Sequence, residues 1–496
     1  MKTLEPKEVF GIFQQITQVP RPSKHEEQIG AWLVKFAKEH NLDYTQDEAG
    51  NVVMRCPATA GYESHDGVIL QAHMDMVCEK NNDVEHDFMT QGIETYIDGD
   101  YIKARGTTLG GDDGIGMAMA LAALTSKTLQ HPALEALFTV DEETGLTGAF
   151  KLGDGILKGK KLINLDSEDD GQIFIGCAGG IDTLAKLYYD AEEVKKLKGE
   201  GAGLFAARVR IGGLMGGHSG DDINKGRANA NKLLVRYLFN ISKQTDLRIS
   251  AINGGNLRNA IAREAEALIT VPFAYKEQLR IELNKFIAEA EAEYKEAEKD
   301  MSITLESEAL PDTLMPKDVS EKLILSLYAC PHGVYAMSKD MPGLVETSTN
   351  LASVKTLPHS STQENGAEKA MIVINTSQRS SVESQKHNLK NMVECALRLS
   401  GAEATHGDGY PGWKPNVHSE LLEVTRKAYI DITGTEPEVK AIHAGLECGL
   451  FLEKYPWLDM VSIGPQMSGV HSPSEQLSIS STQKTWKWLC KTLESL

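Results

Sequence analysis

The sequence predicts an α/β protein with a mixed, largely parallel sheet flanked by helices, followed by a second segment of strands and helices. Short, continuously apolar runs, typical of strands buried on both faces, recur four times in the first segment of the chain. They are GVILQA (67–72), ALEALFTV (133–140), KLINL (161–165) and IFIGC (173–177). Helical patterns at 114–125 and 146–152 lie between these runs. This alternation of strands and helices favours a parallel sheet.

An amphipathic helix over about 24–39 precedes this sheet. Ser23 and Glu26 have the spacing of a capping box, and apolar residues then recur on one helical face. From about 185 the sequence changes, and the charged stretch EEVKKLKGEGAG (192–203) is typical of a linker or a solvated turn. The later predicted elements are helices near 225–241, 276–299, 382–399 and 419–433, and a final strand, LDMVSIGP (458–465).

Length, charge and cysteine usage exclude several classes of protein. The chain has 496 residues, more than one hydrophobic core usually covers, and its 41% hydrophobic and 24% charged composition is that of a folded globular protein. Its formal net charge of −19 repels phosphate backbones and anionic lipids, so we expect no nucleic acid or membrane partner. Seven cysteines without a C-x-x-C pair, and an N-terminus without an apolar signal region, predict reduced thiols and a cytoplasmic location.

Ionisable residues follow three of the predicted buried strands, and an acidic pair lies in a Gly-rich loop between two of them. They are His73 and Asp75 after GVILQA, Asp141, Glu142 and Glu143 after ALEALFTV, Asp166 after KLINL, and Asp112 and Asp113 in the loop. Ligands of open α/β sheets bind beyond the carboxyl ends of the strands, so we expect these groups to converge. Imidazole and carboxylate donors suit Zn²⁺ or a comparable divalent ion. Taken singly, each also has a structural explanation, as a core histidine, first-turn acids or helix caps.

Five separated motifs carry a resemblance to a known family. They are LQAHMDMVCEK (70–80), TTLGGDDGIGMAMALA (107–122), TVDEETGLTGA (139–149), INLDSED (163–169) and GPQMSGVHSPSE (464–475). In this order they resemble the aminoacyl-histidine dipeptidases. These belong to the co-catalytic zinc exopeptidases, with the carnosinases, aminoacylases and glutamate carboxypeptidases.

The resemblance implies two Zn²⁺ per chain, with Co²⁺ or Mn²⁺ as possible replacements on the same donors. The implied ligands are His73 and Asp166 for one ion, Glu143 and His471 for the other, and Asp112 as the bridge between them. Glu142 is then the general base, and Asp75 orients the imidazole of His73.

The position of His471 in the chain leads to a prediction of domains. His471 lies far downstream of Asp166, so the last segment must fold back onto the first to supply it. We expect residues 1–185 plus 402–496 to form the catalytic dizinc domain, and residues 186–401 to form an inserted α+β domain that serves as lid and dimerisation domain. A lid that carries a catalytic histidine suggests a homodimer formed through it.

The resemblance also implies substrate-binding residues. His218, in GGLMGGHSGDD, would stabilise the tetrahedral oxyanion, from the same chain or from a partner subunit. Asn259 and Arg379 match positions that hold the substrate's terminal carboxylate, a task that suits a guanidinium. His443 and Glu447, in AIHAGLECG, match a substrate-facing loop without a defined role. Alternatively, His218 is a turn histidine and Arg379 a surface ion-pair residue.

The function that this resemblance implies is a metal-dependent dipeptidase. It would hydrolyse the peptide bond of unblocked dipeptides, including carnosine-like Xaa-His substrates, through a hydroxide that bridges two metals. Two other functions stay open. One is an amidohydrolase of N-acyl amino acids on the same scaffold, and the other is an inactive metal-binding relative, against which the intact Glu142 argues.

Overall fold

The structure is a computed structural model that describes residues 1, 4–197, 203–357, 363–364 and 367–496. It divides into two compact units. Unit 1 consists of Met1–Cys177, Trp413–Ala441 and Leu446–Leu496, and unit 2 of Ala178–Gly412 and Ile442–Gly445. Residues 198–202 of the predicted linker lie outside the described residues.

Twelve α-helices and twenty-seven strands are formed by the described residues. The helices are α1 (Lys7–Ile16), α2 (Glu27–Glu39), α3 (Gly111–Thr125), α4 (Glu142–Gly145), α5 (Thr147–Lys151), α6 (Ala230–Ser242), α7 (Lys276–Tyr294), α8 (Lys317–Ala329), α9 (Glu383–Arg398), α10 (Glu420–Thr433), α11 (Glu447–Lys454) and α12 (Ile479–Ser495). The strands are β1 (Asp43–Gln46), β2 (Val52–Cys56), β3 (Val68–His73), β4 (Thr95–Asp98), β5 (Tyr101–Ala104), β6 (Leu134–Thr139), β7 (Lys161–Asn164), β8 (Gln172–Cys177), β9 (Gly179–Tyr189), β10 (Glu192–Glu193), β11 (Leu204–Gly212), β12 (Gly217–His218), β13 (Arg248–Gly254), β14 (Ala260–Ile261), β15 (Ala265–Pro272), β16 (Ser302–Glu308), β17 (Thr313–Leu314), β18 (Gly333–Met337), β19 (Val345–Leu357), β20 (Gln363–Glu364), β21 (Ala367–Glu368), β22 (Ala370–Ser380), β23 (Glu403–His406), β24 (Glu438–Ile442), β25 (Asp459–Ser462), β26 (Met467–Ser468) and β27 (Gln476–Ser478).

Unit 1 is built on an eight-stranded sheet in the order β1-β2-β6-β3-β7-β25-β8-β24. Its four central strands, β6, β3, β7 and β25, run parallel, and β2 and β8 pair with them antiparallel. Every residue of β3, β6 and β7 is buried, as their continuously apolar sequences predict. Helix α3 packs against β3 and β6, and α10 against β25 and β8. The predicted mixed α/β fold with a parallel centre is therefore confirmed.

Unit 2 contains a second, antiparallel sheet in the order β16-β11-β15-β13-β19-β22-β9-β23, with β18 also paired to β19. Helix α6 packs against β11 and β15, and α9 against β9 and β22. One cluster of buried apolar side chains joins these helices to the sheet. Unit 2 thus has its own hydrophobic core.

Several elements begin at other residues than the sequence predicts. Helix α2 begins only at Glu27, because Lys24 has a left-handed backbone (φ 69°) that cannot continue a helix. Helix α6 begins at Ala230, where the side chain of Asn229 accepts hydrogen bonds from the amides of Asn231 and Lys232.

Among the described residues, no helix is both long and apolar enough to cross a membrane.

Candidate metal centre

The carboxyl ends of the parallel strands of unit 1 lie at one edge of the sheet. Strand β3 ends at His73, Glu142 and Glu143 open the short helix that follows β6, and Asp166 comes shortly after β7. His471 lies in the loop between β26 and β27, which belong to a separate four-stranded sheet with β4 and β5. The fold therefore delivers residues distant in sequence to one place.

The first group of ligand atoms comes from His73, Asp112 and Asp166. His73 Nε2 lies 2.9 Å from Asp112 Oδ1 and 3.4 Å from Asp166 Oδ1. The imidazole is only 1% exposed. A buried imidazole between two carboxylates is a suitable arrangement for a divalent ion.

The second group uses the other oxygen of Asp112. His471 Nε2 lies 3.1 Å from Asp112 Oδ2 and 2.9 Å from Glu143 Oε2. The His471 side chain is 53% exposed, so this group is nearer to solvent than the first. Asp112 presents one oxygen to each group, which is the geometry of a bridging carboxylate.

Burial and mutual repulsion set the charges in this centre. Burial opposes charge on His73, yet the carboxylates of Asp166, Asp112 and Asp75 raise its pKa well above the usual value. Burial also raises the pKa of Asp166 well above its usual value, and nearby Asp112 adds to that shift. Without a cation, these acids can lie together only by sharing protons with the imidazoles.

These residues fit divalent ions. Their donors are all nitrogen or oxygen, and within each group the ligand atoms lie within 4.8 Å of one another. Glu143 Oε1 is buried, and no other atom in the described part of the chain makes a hydrogen bond with it. A cation at the second group would give this oxygen the partner that it lacks.

Asp75 holds both His73 and the turn that carries the two glutamates. Its Oδ1 lies 3.3 Å from His73 Nδ1 and accepts the amide of Glu142 at 3.0 Å, and its Oδ2 accepts the amide of Glu143 at 3.3 Å. The hydroxyl of Ser23 donates a further bond of 2.7 Å. Burial opposes the charge of Asp75, but the bond from His73 and the other donors lower its pKa to about 2. An ionised Asp75 fixes the ring orientation of His73.

Glu142 is the first residue of α4 and follows Asp141, whose backbone is left-handed (φ 50°). Burial raises the pKa of Glu142 well above its usual value, and the nearby acids Asp166, Glu447 and Glu143 add to the shift. A carboxyl group with a raised pKa can take up and release a proton near neutral pH.

A third group of acids near the centre is already satisfied by protein donors. Glu26 Oε1 accepts the amides of Lys24 at 2.7 Å and of Asp141 at 3.1 Å. Asp141 in turn accepts hydrogen bonds from the hydroxyls of Thr144 and Thr147. These oxygens serve to shape the turn before Glu142.

Glu447 lies inside unit 1, behind the metal centre. It is 2% exposed, and its Oε2 accepts hydrogen bonds from Gln71 at 2.7 Å and from Thr139 at 2.9 Å. Burial raises its pKa to about 7. Gln71 and His73 share one face of β3, because side chains two residues apart in a strand point the same way.

Two residues that the sequence did not single out hold the ligand-bearing loops. Arg21 is 2% exposed and donates to the carbonyls of Met74 (3.1 Å), Asp75 (2.5 Å) and Gly110 (2.5 Å). Glu475 accepts hydrogen bonds from the backbone amides of residues 109–112. Glu475 stands in the motif that contains His471, but Arg21 belongs to none of the five motifs.

Unit 2 brings together three of the predicted substrate-binding residues. We call this set the histidine–arginine cluster, and its members are His218, Asp221, Ser348, Arg379, Tyr410 and His443. His218 Nδ1 lies 3.0 Å from Asp221 Oδ2, His443 Nε2 lies 2.7 Å from Ser348 Oγ, and Arg379 Nη1 donates to Tyr410 Oη at 3.0 Å. A hydrogen bond of His218, together with the nearby Arg379 and His443, lowers the pKa of Asp221.

Asn259 touches this cluster through its backbone. Its carbonyl accepts a hydrogen bond of 2.8 Å from the amide of Ser219, the residue after His218. Gly220 lies so close to His443 that a Cβ there would be 2.2 Å from the His443 carbonyl oxygen. The turn after His218 therefore needs glycine in order to pack on His443.

The fold and the two ligand groups that share Asp112 define an α/β protein with a candidate two-ion centre. The chain belongs to Peptidase family M20/M25/M40, whose family model matches residues 69–495. This finding confirms the resemblance that the five motifs predict.

Known relatives align with this sequence over its whole length. It is 41% identical over 496 residues to a cytosol non-specific dipeptidase of Escherichia coli, covering 100% of this chain and 99% of that protein. The crystal structure of an aminoacylhistidine dipeptidase from Vibrio alginolyticus is 40% identical, with a TM-score of 0.93 over 100% of this chain and 98% of that one. An aminopeptidase, PepT, from Bacillus cereus shares the fold at 16% identity, with a TM-score of 0.57 over 99% of each chain.

Proposed function

We propose that this peptidase is a metal-dependent dipeptidase that hydrolyses unblocked dipeptides, including Xaa-His substrates. The observation that carries the proposal is the pair of ligand groups that share Asp112, at the carboxyl edge of a parallel sheet. The names of the relatives from Escherichia coli and Vibrio alginolyticus support the substrate class.

In this proposal two Zn²⁺ are held by the five predicted ligands, with Co²⁺ or Mn²⁺ as substitutes. His73 and Asp166 would hold one ion, Glu143 and His471 would hold the other, and Asp112 would contribute to both sites. When bound, two such ions lower the pKa of water and polarise a scissile carbonyl. Asp75 keeps His73 in one orientation, in which Nε2 lies beside Asp112 and Asp166 and would be available to a metal ion.

Glu142 is the proposed general base. Its carboxylate accepts the proton of the attacking water and then donates it to the nitrogen of the leaving amine. Its backbone is fixed by the hydrogen bond to Asp75, and burial raises its pKa well above the usual value, which favours its uptake of a proton.

The histidine–arginine cluster supplies the proposed substrate-binding groups. His218 would stabilise the oxyanion, and Arg379 with Asn259 would bind the terminal carboxylate of the dipeptide. His443 and Glu447 are also proposed as substrate-binding residues. We further propose that unit 1 is the catalytic domain, that unit 2 acts as a lid and forms a homodimer, and that the enzyme is cytoplasmic.

Metal analysis joined to a substrate panel tests this function. The purified protein should contain two equivalents of Zn²⁺ per chain and hydrolyse free Xaa-His and other dipeptides, but not their N-acetylated forms. Preference for the N-acetylated forms would assign an amidohydrolase of N-acyl amino acids instead. A fully metallated protein without hydrolysis would be an inactive relative, and zero or one metal equivalent would contradict the two-ion centre.

A further inference from the structure

Glu475 is a buried acid to which the proposed chemistry gives no role. It is 3% exposed and lies in the loop between β26 and β27, as His471 does. Its Oε2 accepts the amides of Leu109 at 2.6 Å and Gly110 at 3.0 Å, and its Oε1 those of Gly111 at 2.7 Å and Asp112 at 3.4 Å. A buried carboxylate is costly unless its oxygens are satisfied, and here four consecutive amides satisfy them.

These four amides belong to the loop that presents Asp112. The side chain of Asp112 also reaches His471, with Oδ2 at 3.1 Å from Nε2. The two loops are therefore joined twice, once by the ligand side chains and once by Glu475 and the backbone. The second connection does not involve the ligand atoms, so it can hold the loops in place before a metal ion arrives.

Arg21 also holds the loop that presents Asp112, through a backbone carbonyl. Arg21 donates to the carbonyl of Gly110, while Glu475 accepts the amide of the same residue. A Cβ on Gly110 would lie 2.6 Å from Arg21 Nη2, and one on Gly111 would lie 3.2 Å from Glu475 Oε1. The glycines thus permit both charged side chains to approach the backbone.

We propose that Glu475 is a positioning residue that holds His471 against Asp112 and thereby sets the affinity of the second ligand group for its metal ion. This inference rests on the proposed two-ion centre. Glu475 acts through backbone amides and contacts neither metal nor substrate. If it served only to cap α3, its loss would lower stability without a selective effect on one metal site.

The test is calorimetric titration of the metal-free protein with Zn²⁺ alone. Glu475→Gln places an amide NH₂ against backbone donors, so the second equivalent should bind about 10–100-fold more weakly, while the first keeps its affinity. Glu135→Gln is the matched control, because Glu135 is 5% exposed and accepts the amides of Lys158 and Gly159. Glu135 lies at the opposite end of β6 from the metal centre, so this variant should bind both equivalents as the wild type does.

Wild-type affinities in Glu475→Gln, or an equal loss in Glu135→Gln, would overturn the proposal. If Glu475→Gln does not fold, Gly111→Ala decides, because its Cβ would lie 3.2 Å from both Glu475 Oε1 and Met467 Sδ and would push against the carboxylate at a backbone position that tolerates alanine. Selective weakening of the second equivalent in Gly111→Ala supports the role, and unchanged affinities contradict it. A wild-type protein that binds fewer than two equivalents would contradict the two-ion centre itself. If the wild type binds two equivalents and Glu475→Gln binds both with wild-type affinity, only the role of Glu475 is contradicted.

Discussion

The metal centre of unit 1 and the histidine–arginine cluster of unit 2 balance their charges in different ways. In the centre, Asp112, Asp166 and Glu143 face two imidazoles, and the buried Oε1 of Glu143 has no hydrogen-bond partner among the described residues. In the cluster, His218 pairs with Asp221 and Arg379 donates to a tyrosine hydroxyl, and the buried atoms without a hydrogen-bond partner in the described part of the chain include a donor, Arg379 Nε. The centre therefore needs a cation, whereas the cluster does not. Changes in the centre should alter metal content and kcat, and changes in the cluster, apart from the proposed oxyanion residue His218, should alter KM and stability.

The largest effect is expected for Asp112→Ala. One oxygen of this residue faces each ligand group, so its loss should abolish both metal sites and reduce dipeptide hydrolysis to the level of the metal-free protein. Metal analysis after dialysis, together with turnover of a free dipeptide, measures both effects. Asp66→Ala removes an exposed acid of unit 1 and should keep two equivalents. Retention of two metals by Asp112→Ala would show that the bridge is not needed.

Glu142→Gln separates metal binding from proton transfer in the same centre. The glutamine cannot accept the proton of the attacking water, so kcat should fall about 10²–10⁴-fold while both metal ions stay bound. Steady-state kinetics on a free dipeptide and metal analysis of the same sample provide the measurement. Near wild-type turnover in a fully metallated variant would exclude Glu142 as the base.

Arg379→Lys tests the histidine–arginine cluster of unit 2. A lysine cannot make the two parallel hydrogen bonds of a guanidinium, and a bond to a charged group contributes about 1.5–3 kcal/mol. KM should therefore rise by about 10–100-fold, with metal content unchanged. Arg236→Lys, which alters an ion pair with Glu293 elsewhere in unit 2, is the control and should leave KM unaltered. A loss of metal in Arg379→Lys would contradict the separation of roles.

The sequence predicted that the acids at the strand ends lie close together, because parallel strands bring their carboxyl ends to one edge of the sheet whatever lies between them. His471 required the family resemblance, since no local pattern connects it to Asp166. The capping box predicted at Ser23 and Glu26 is wrong. Ser23 instead donates to Asp75, and Glu26 accepts the amides of Lys24 and Asp141. Local spacing could not show that these side chains serve a distant turn.

The direction of individual strands and the roles of some buried charged residues could not be predicted from the sequence either. An apolar run such as IFIGC identifies a buried strand but not its orientation, and β8 pairs antiparallel with β25. Arg21 had no signal, because its three acceptors are backbone carbonyls that come together only in the folded chain. Interactions of side chains with backbone leave no pattern of residue types to recognise.

The smallest effect at neutral pH is expected for His443→Gln, and it tests the charge balance of the cluster. His443 is 6% exposed, and burial, with the nearby charge of Arg379, lowers its pKa to about 4 from an ordinary value of 6.5. Asp221 opposes this shift and His218 adds to it. The unfolded chain therefore takes up this proton at a higher pH than the folded chain does.

The sign of the pH dependence follows from that difference. The stability due to neutral His443 is fully present above about pH 6.5 and is lost as the pH falls toward 4, with a slope of about 1.4 kcal/mol per pH unit. Glutamine does not titrate, so the free energy of unfolding of His443→Gln, measured in urea, should fall less steeply across this window. The difference in slope should correspond to the uptake of about one proton. The difference between the variant and the wild type at equal metal content isolates this contribution from that of the ligands in unit 1. Parallel curves for the two proteins would mean that folding does not lower the pKa of His443, and would contradict the neutral state assigned to it in the cluster.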